Sequence, residues 1–155
     1  MFITDDDRPV AVYPHSRRRI SKNSMIMQRA YIASAPIILI VEEDLDNRLM
    51  LRLLLETWNY RVIEAGSGEE ALVLAEKEQP DVILMDVRLP LLDGFATTRR
   101  IRASTKIDGV PVVLLSGYAE DEYRRTAFAA GGSEYLVKPL DFAKLEFTLG
   151  KYVSV

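Results

Sequence analysis

The stretch VILMDVRLPLLDG, Val82 to Gly94, decides the fold. Its apolar run, Val82 to Met85, reads as a buried strand, and Asp86 stands where that strand meets a loop. Open α/β sheets place their chemistry at such strand ends. Three other segments repeat the arrangement. Ile37 to Val41 ends in the acidic trio Glu42, Glu43 and Asp44, Val112 to Leu115 ends in Ser116, and Tyr135 to Val137 ends in Lys138 followed by Pro139. As parallel neighbours, these four runs bring carboxylates, a hydroxyl and an ammonium to one edge. Such a group suits a divalent metal and a phosphoryl group.

From Ile37 onward, short apolar runs alternate with amphipathic segments, the signature of βα units around a parallel sheet, five of each. The first helix starts at Asp44 or Asp46, carries Leu45, Leu49 and Leu53 on one face, and ends before Asn59. Strand two spans Arg61 to Ala65. Ser67 followed by Glu70 is a capping box that opens a second helix, which Pro80 terminates after about Glu78. The third helix starts near Gly94, with Phe95, Thr98 and Ile101 inward and Arg99, Arg100 and Arg102 outward. The fourth, Glu120 to Ala130, sets Tyr123, Ala127 and Ala130 on one face and stops at Gly131 and Gly132, where glycine fits a left-handed cap. The last begins at Asp141 and buries Phe142, Leu145 and Leu149.

The chain has 155 residues, enough for one domain with a sizeable core. It has no cysteine, which excludes disulfides and thiolate chemistry, and its one histidine, His15, excludes an all-histidine metal site. No apolar stretch approaches the roughly 20 residues that span a bilayer, and no signal peptide is recognisable, so a cytoplasmic address is expected. The net charge of -3 hides an asymmetry: residues 1–35 carry about +3 and residues 36–155 about -6. An acidic body argues against nonspecific nucleic-acid binding, which draws on Lys and Arg. Residues 1–35, with DDD and RRR clusters and Pro9 and Pro14, read as a basic, poorly ordered extension in which a short helix from Ser24 to Ala33 can form. Translation could also start at Met25 or Met27. After the last helix only a short tail is expected, with no room for an output domain.

Between Ile37 and about Tyr152 the chain resembles the receiver domain of bacterial two-component response regulators, the family that includes the chemotaxis regulators. Four signals in order carry the resemblance: the acidic pair Glu42 and Glu43, DVRLPLLDG from Asp86, LLSG ending in Gly117, and YLVKP ending in Pro139. Ser116 lies thirty residues past Asp86 and Lys138 twenty-two past Ser116, the family spacing. The resemblance implies a flavodoxin-like, doubly wound (βα)5 fold, a five-stranded parallel sheet of order 2-1-3-4-5 with helices on both faces.

It further implies that Asp86 is a phosphoacceptor, taking its phosphoryl group from a histidine kinase or phosphotransfer protein. Phosphoryl transfer needs positioning and charge neutralisation more than a strong base, so an ionised aspartate beside a metal and a lysine suffices. The implied metal is Mg2+, held by Glu42, Glu43, Asp86 and the backbone carbonyl of Arg88. Ser116 would bond a phosphoryl oxygen and draw its loop inward, Lys138 would be aimed by a cis bond to Pro139, and Tyr135 occupies the aromatic switch position. Arg88 and Tyr118, each two residues past a site residue, flank the phosphoryl group and would slow its hydrolysis. Output is expected through a downstream protein target, a phosphorelay, or a homodimer on the face made by the fourth predicted helix, the fifth strand and the last helix. Direct DNA binding is not expected, and neither is metabolic enzyme activity.

The second acidic position in the family is most often Asp, and here it is Glu43. The extra methylene matters to an ion with a strict shell of about 2.0–2.1 Å, so Glu43 could act through water or Asp44 could substitute. That departure supports one rival, a receiver-like interaction module that takes no phosphate. A second rival, an aspartyl-nucleophile phosphohydrolase, would have a second aspartate where Arg88 stands. Asp44 and Ser116 also have plainer readings, as a helix cap and a turn residue. Gly66, Ser67 and Gly68 make a helix-start turn, not a phosphate-cradling loop, and Ser116 lacks the flanks of a hydrolase nucleophile.

Overall fold

The computed structural model describes residues 21–153. Five parallel strands, β1 (Ile37–Val41), β2 (Arg61–Ala65), β3 (Val82–Asp86), β4 (Val112–Ser116) and β5 (Glu134–Val137), form one sheet of order β2-β1-β3-β4-β5. Six helices accompany them: α1 (Lys22–Ser34), α2 (Leu45–Thr57), α3 (Gly68–Glu78), α4 (Gly94–Ala103), α5 (Asp121–Ala129) and α6 (Phe142–Gly150). This is the flavodoxin-like order expected. None of these helices is long and apolar enough to cross a membrane.

The unbroken apolar runs have a simple cause: both faces of the sheet are covered. Leu39, Val41, Ile83, Met85, Val112 and Leu114 pack with Ala71 and Ala75 of α3, Phe95 and Ile101 of α4, and Ala127 of α5. Their sequence neighbours Ile38, Ile40, Val82, Leu84, Val113 and Leu115 point the other way, onto Leu51 and Leu55 of α2 and Leu145 and Leu149 of α6. The period of two in each strand thus feeds two cores. The sheet reverses its order between β1 and β3, so their carboxyl ends flank the switch-point crevice.

Side-chain caps set where the helices begin. Asp44, Ser67, Asp93 and Asp141 each accept from a backbone N–H three residues on, in α2, α3, α4 and α6. Of the expected capping box, Ser67 Oγ accepts from the Glu70 N–H at 3.2 Å, while the Glu70 carboxylate reaches back one residue further, to the Gly66 N–H at 2.8 Å. Gly131, at φ 101°, takes the left-handed conformation after α5.

Three expectations need correction. Leu45, Leu49 and Leu53 of α2 are exposed, because the helix turns Leu51 and Leu55 to the sheet instead. Phe142 is also largely exposed, since α6 buries Leu145, Thr148 and Leu149. Arg102 does not point outward. It donates to the carbonyls of Gly131 (2.9 Å), Asp108 (2.8 Å) and Val110 (2.6 Å), stapling the end of α4 to two loops. Burial lowers its pKa, partly offset by Asp108. The helix expected from Ser24 to Ala33 is found as α1, with no buried residue, while residues 1–20 of the basic extension lie outside the described residues.

Candidate functional site

The register of the strands assembles the site. Val41 pairs with Met85, so Glu42, the next residue, stands across from Asp86 at the crevice between β1 and β3. Asp86 pairs with Leu115 and Ser116 with Val137, which brings Ser116 and Lys138 to the same edge. A cis peptide bond joins Lys138 to Pro139.

Lys138 Nζ donates to Asp86 Oδ2 at 2.6 Å and to Glu42 Oε2 at 3.2 Å. Each remaining oxygen has its own donor: Asp86 Oδ1 accepts from the Arg88 N–H at 2.9 Å, and Glu42 Oε1 from the Asp44 N–H at 3.0 Å. Both carboxylates are nearly enclosed, Glu42 being 4% and Asp86 5% exposed. Burial pushes the Glu42 carboxyl above its ordinary value, and a hydrogen bond and repulsion from Asp86 push it further. For Lys138, burial acts to lower the pKa, but the hydrogen bonds and charges of Asp86 and Glu42 outweigh it and hold the ammonium above its ordinary value. One cation therefore faces two carboxylates, and the pocket carries residual negative charge.

That charge fits a hard divalent cation with oxygen ligands. Glu42 and Asp86 are the two carboxylates that converge; among the described residues, no three His, Cys, Asp or Glu side chains form a metal-holding cluster. Glu43 is exposed and lies on the rim, lining a cleft of about 440 Å³ with Arg88, Asp93, Tyr118 and Tyr123. Asp44 is committed elsewhere, since its Oδ1 caps α2 through the Asn47 N–H at 2.8 Å. Of the two candidates for the second acidic position, Glu43 is thus the one whose carboxylate is not engaged in capping.

Ser116 is fully buried and its Oγ accepts from the Tyr118 N–H at 3.1 Å, while its carbonyl accepts from the Lys138 N–H at 2.7 Å. Tyr135 is buried too, its hydroxyl donating to the Tyr118 carbonyl. Two residues near the site escaped the sequence reading as site elements. Arg48 donates to the Glu42 carbonyl at 2.9 Å and pairs with Glu64 of β2 at 3.3 Å, fixing the start of the acidic loop. Tyr123 stacks on Tyr118 with ring centroids 4.3 Å apart and planes 13° from parallel. Both carry a sequence signal only in hindsight: Arg48 is a basic residue in the helix after the acidic trio, and Tyr123 shares a face of α5 with Ala127 and Ala130.

Residues 38–149 match the model of the response regulator receiver domain. The transcriptional regulatory protein ZraR of Escherichia coli K12 is 38% identical over 117 residues, a match covering 76% of this chain and 26% of ZraR. The chain therefore spans about a quarter of the length of that relative. An uncharacterised 14.6 kDa protein of Leptolyngbya boryana is 39% identical over 104 residues, covering 67% of this chain and 79% of the relative. Among solved structures, the receiver domain of the sensor histidine kinase PA1611 of Pseudomonas aeruginosa PAO1, described with a magnesium ion coordinated in its active-site cleft, superposes with a TM-score of 0.71 at 36% identity. It covers 77% of this chain and 98% of that one. The chemotaxis protein CheY4 of Vibrio cholerae gives a TM-score of 0.73 at 29% identity, over 77% of this chain and all of its own.

Proposed function

The chain belongs to the response regulator receiver family of two-component systems, and we propose that it accepts a phosphoryl group from a phosphohistidine onto Asp86. The observation that supports this most is the enclosed Asp86 carboxylate, 2.6 Å from the Lys138 ammonium and beside Glu42 at the switch point of the sheet. An Asp86 oxygen attacks phosphorus, the O–P bond forms, and the N–P bond breaks with its electron pair returning to the imidazole. Lys138 neutralises charge on the phosphoryl oxygens. Ser116, whose Oγ already accepts from Tyr118, has its own proton to donate to one of them. Glu42 and Asp86, with Glu43 and the Arg88 carbonyl at the rim, are the residues that would hold Mg2+. When bound, the ion offsets negative charge on the carboxylates and on the incoming phosphate.

In the same reading, residues 36–155 are the receiver and residues 1–35 a basic extension. Phosphorylation rewards the state in which Ser116 and Lys138 close on the phosphoryl group, and a changed surface is what a protein partner reads. Tyr135, bonded to the Ser116 loop through Tyr118, is placed to move with it.

The test is incubation with acetyl phosphate and Mg2+, read by intact mass. A gain of one phosphoryl group that disappears in Asp86→Asn supports the proposal. No gain in the parent protein supports the alternative, an interaction module that takes no phosphate.

A further inference from the structure

Tyr118 is held at three points. Its N–H donates to Ser116 Oγ at 3.1 Å, its carbonyl accepts from the Tyr135 hydroxyl, and its ring lies flat on Tyr123, 4.3 Å between centroids. The first two bonds fix the backbone and leave χ1 unconstrained. An exposed tyrosine ring samples several rotamers unless a neighbour selects one. Tyr118 is 36% exposed, and the Tyr123 ring supplies that selection from the first turn of α5, whose start is anchored by the Tyr123 N–H to the Glu120 carbonyl at 3.1 Å. Both rings line the cleft that also holds Glu43, Val87 and Arg88, the last two following Asp86 directly in sequence.

We propose that Tyr123 is a positioning residue: by stacking on Tyr118 it holds that ring as a wall of the cleft and slows the loss of a phosphoryl group from Asp86 to water. The inference rests on Asp86 being the phosphoacceptor. In the step concerned, a water oxygen attacks phosphorus in line with the Asp86 oxygen. The new O–P bond forms as the bond to Asp86 breaks, the electron pair returns to the carboxylate, a water proton passes to solvent, and inorganic phosphate leaves. On this proposal the attacking water enters from the cleft, and a Tyr118 ring fixed at its wall reduces the room for it. A ring free to swing admits water more often.

The experiment loads the full chain with acetyl phosphate and Mg2+, removes the donor, and follows decay of the phosphorylated mass. Tyr123→Ala should decay about two- to tenfold faster than the parent, the rate equivalent of an aromatic pair energy. Tyr123→Phe keeps the stack and should match the parent. Tyr118→Ala should also decay faster, and the double variant Tyr118→Ala/Tyr123→Ala no faster than Tyr118→Ala alone, since both remove one wall. Tyr123→Leu keeps apolar bulk and carries the same expectation should Tyr123→Ala unfold. Decay at the parent rate in both Tyr123→Ala and Tyr123→Leu, or fully additive effects in the double variant, overturns the inference and leaves the phosphoacceptor reading intact. A parent chain that never loads overturns that reading, and this inference with it.

Discussion

Lys138 reaches Asp86 across 52 residues of sequence, its Nζ 2.6 Å from Oδ2, and shares itself with Glu42 at 3.2 Å. A single ammonium thus holds two enclosed carboxylates at the crevice between β1 and β3. Replacing it with an apolar chain of similar length leaves those carboxylates facing each other.

Lys138→Met is therefore expected to destabilise the protein by about 1–3 kcal/mol, less than for a fully buried pair because part of the lysine side chain meets water. Adding Glu42→Gln should recover part of that loss, because it removes one of the two facing charges. Urea denaturation at neutral pH measures both. A Lys138→Met protein as stable as its parent would show that the pair contributes nothing.

Gly94 closes the loop that begins at Asp86. Its N–H bonds the Val87 carbonyl at 2.9 Å, and a Cβ there would run into the Asp86 carbonyl oxygen and Val87 Cα. Both obstacles are backbone, so the strand end must shift. Gly94→Ala should cost about 1–3 kcal/mol, the usual range for overpacking, and slow phosphoryl uptake from acetyl phosphate. Gly109→Ala, with open space around its Cβ, is the control and should leave uptake unchanged.

Leu91, in the same loop, is fully exposed at φ 63°. A side chain in the left-handed region is strained, and glycine or asparagine tolerates it better. Leu91→Gly should raise stability by about 0.5–1 kcal/mol, seen as a higher denaturation midpoint at an unchanged slope.

Two tyrosines, together with Lys138, contribute to the loss of stability at alkaline pH. Burial raises Tyr60, with Glu146 adding to it, and burial raises Tyr152, with a hydrogen bond to Glu134 adding to it, both from an ordinary value of 10.0. Each binds its proton more tightly folded than unfolded, so its contribution is complete below 10.0 and is lost as pH climbs through the higher folded value. Stability should fall as pH rises from 10.0 through the folded values, and the slope should lessen in Tyr152→Phe. Denaturation midpoints taken at about pH 9, 10 and 11 decide it.

Much of this was legible from sequence, for physical reasons. β3 and β4 are buried on both faces, so each apolar run ends where the strand ends, and Asp86 and Ser116 are marked by that change. α2 was not legible in the same way. It carries leucines at 45, 49, 51, 53, 54 and 55, nearly all round, and only packing on the sheet selects Leu51 and Leu55. Arg102 reads as a solvated charge until two loops, one of them 29 residues away, turn their carbonyls to it. The stack of Tyr123 on Tyr118 depends on how the β4 to α5 loop folds back, which no periodicity records. The extra methylene of Glu43 was legible, and its place on the rim of the cleft came only with coordinates.

The residue that takes the phosphoryl group decides what this protein does. Borohydride reduces an aspartyl phosphate to homoserine, so treating the acetyl phosphate-loaded chain with it and sequencing the peptides by mass spectrometry identifies the acceptor. Homoserine at position 86, absent from the unloaded chain, is the predicted result. Homoserine at any other aspartate, or at none, would contradict it.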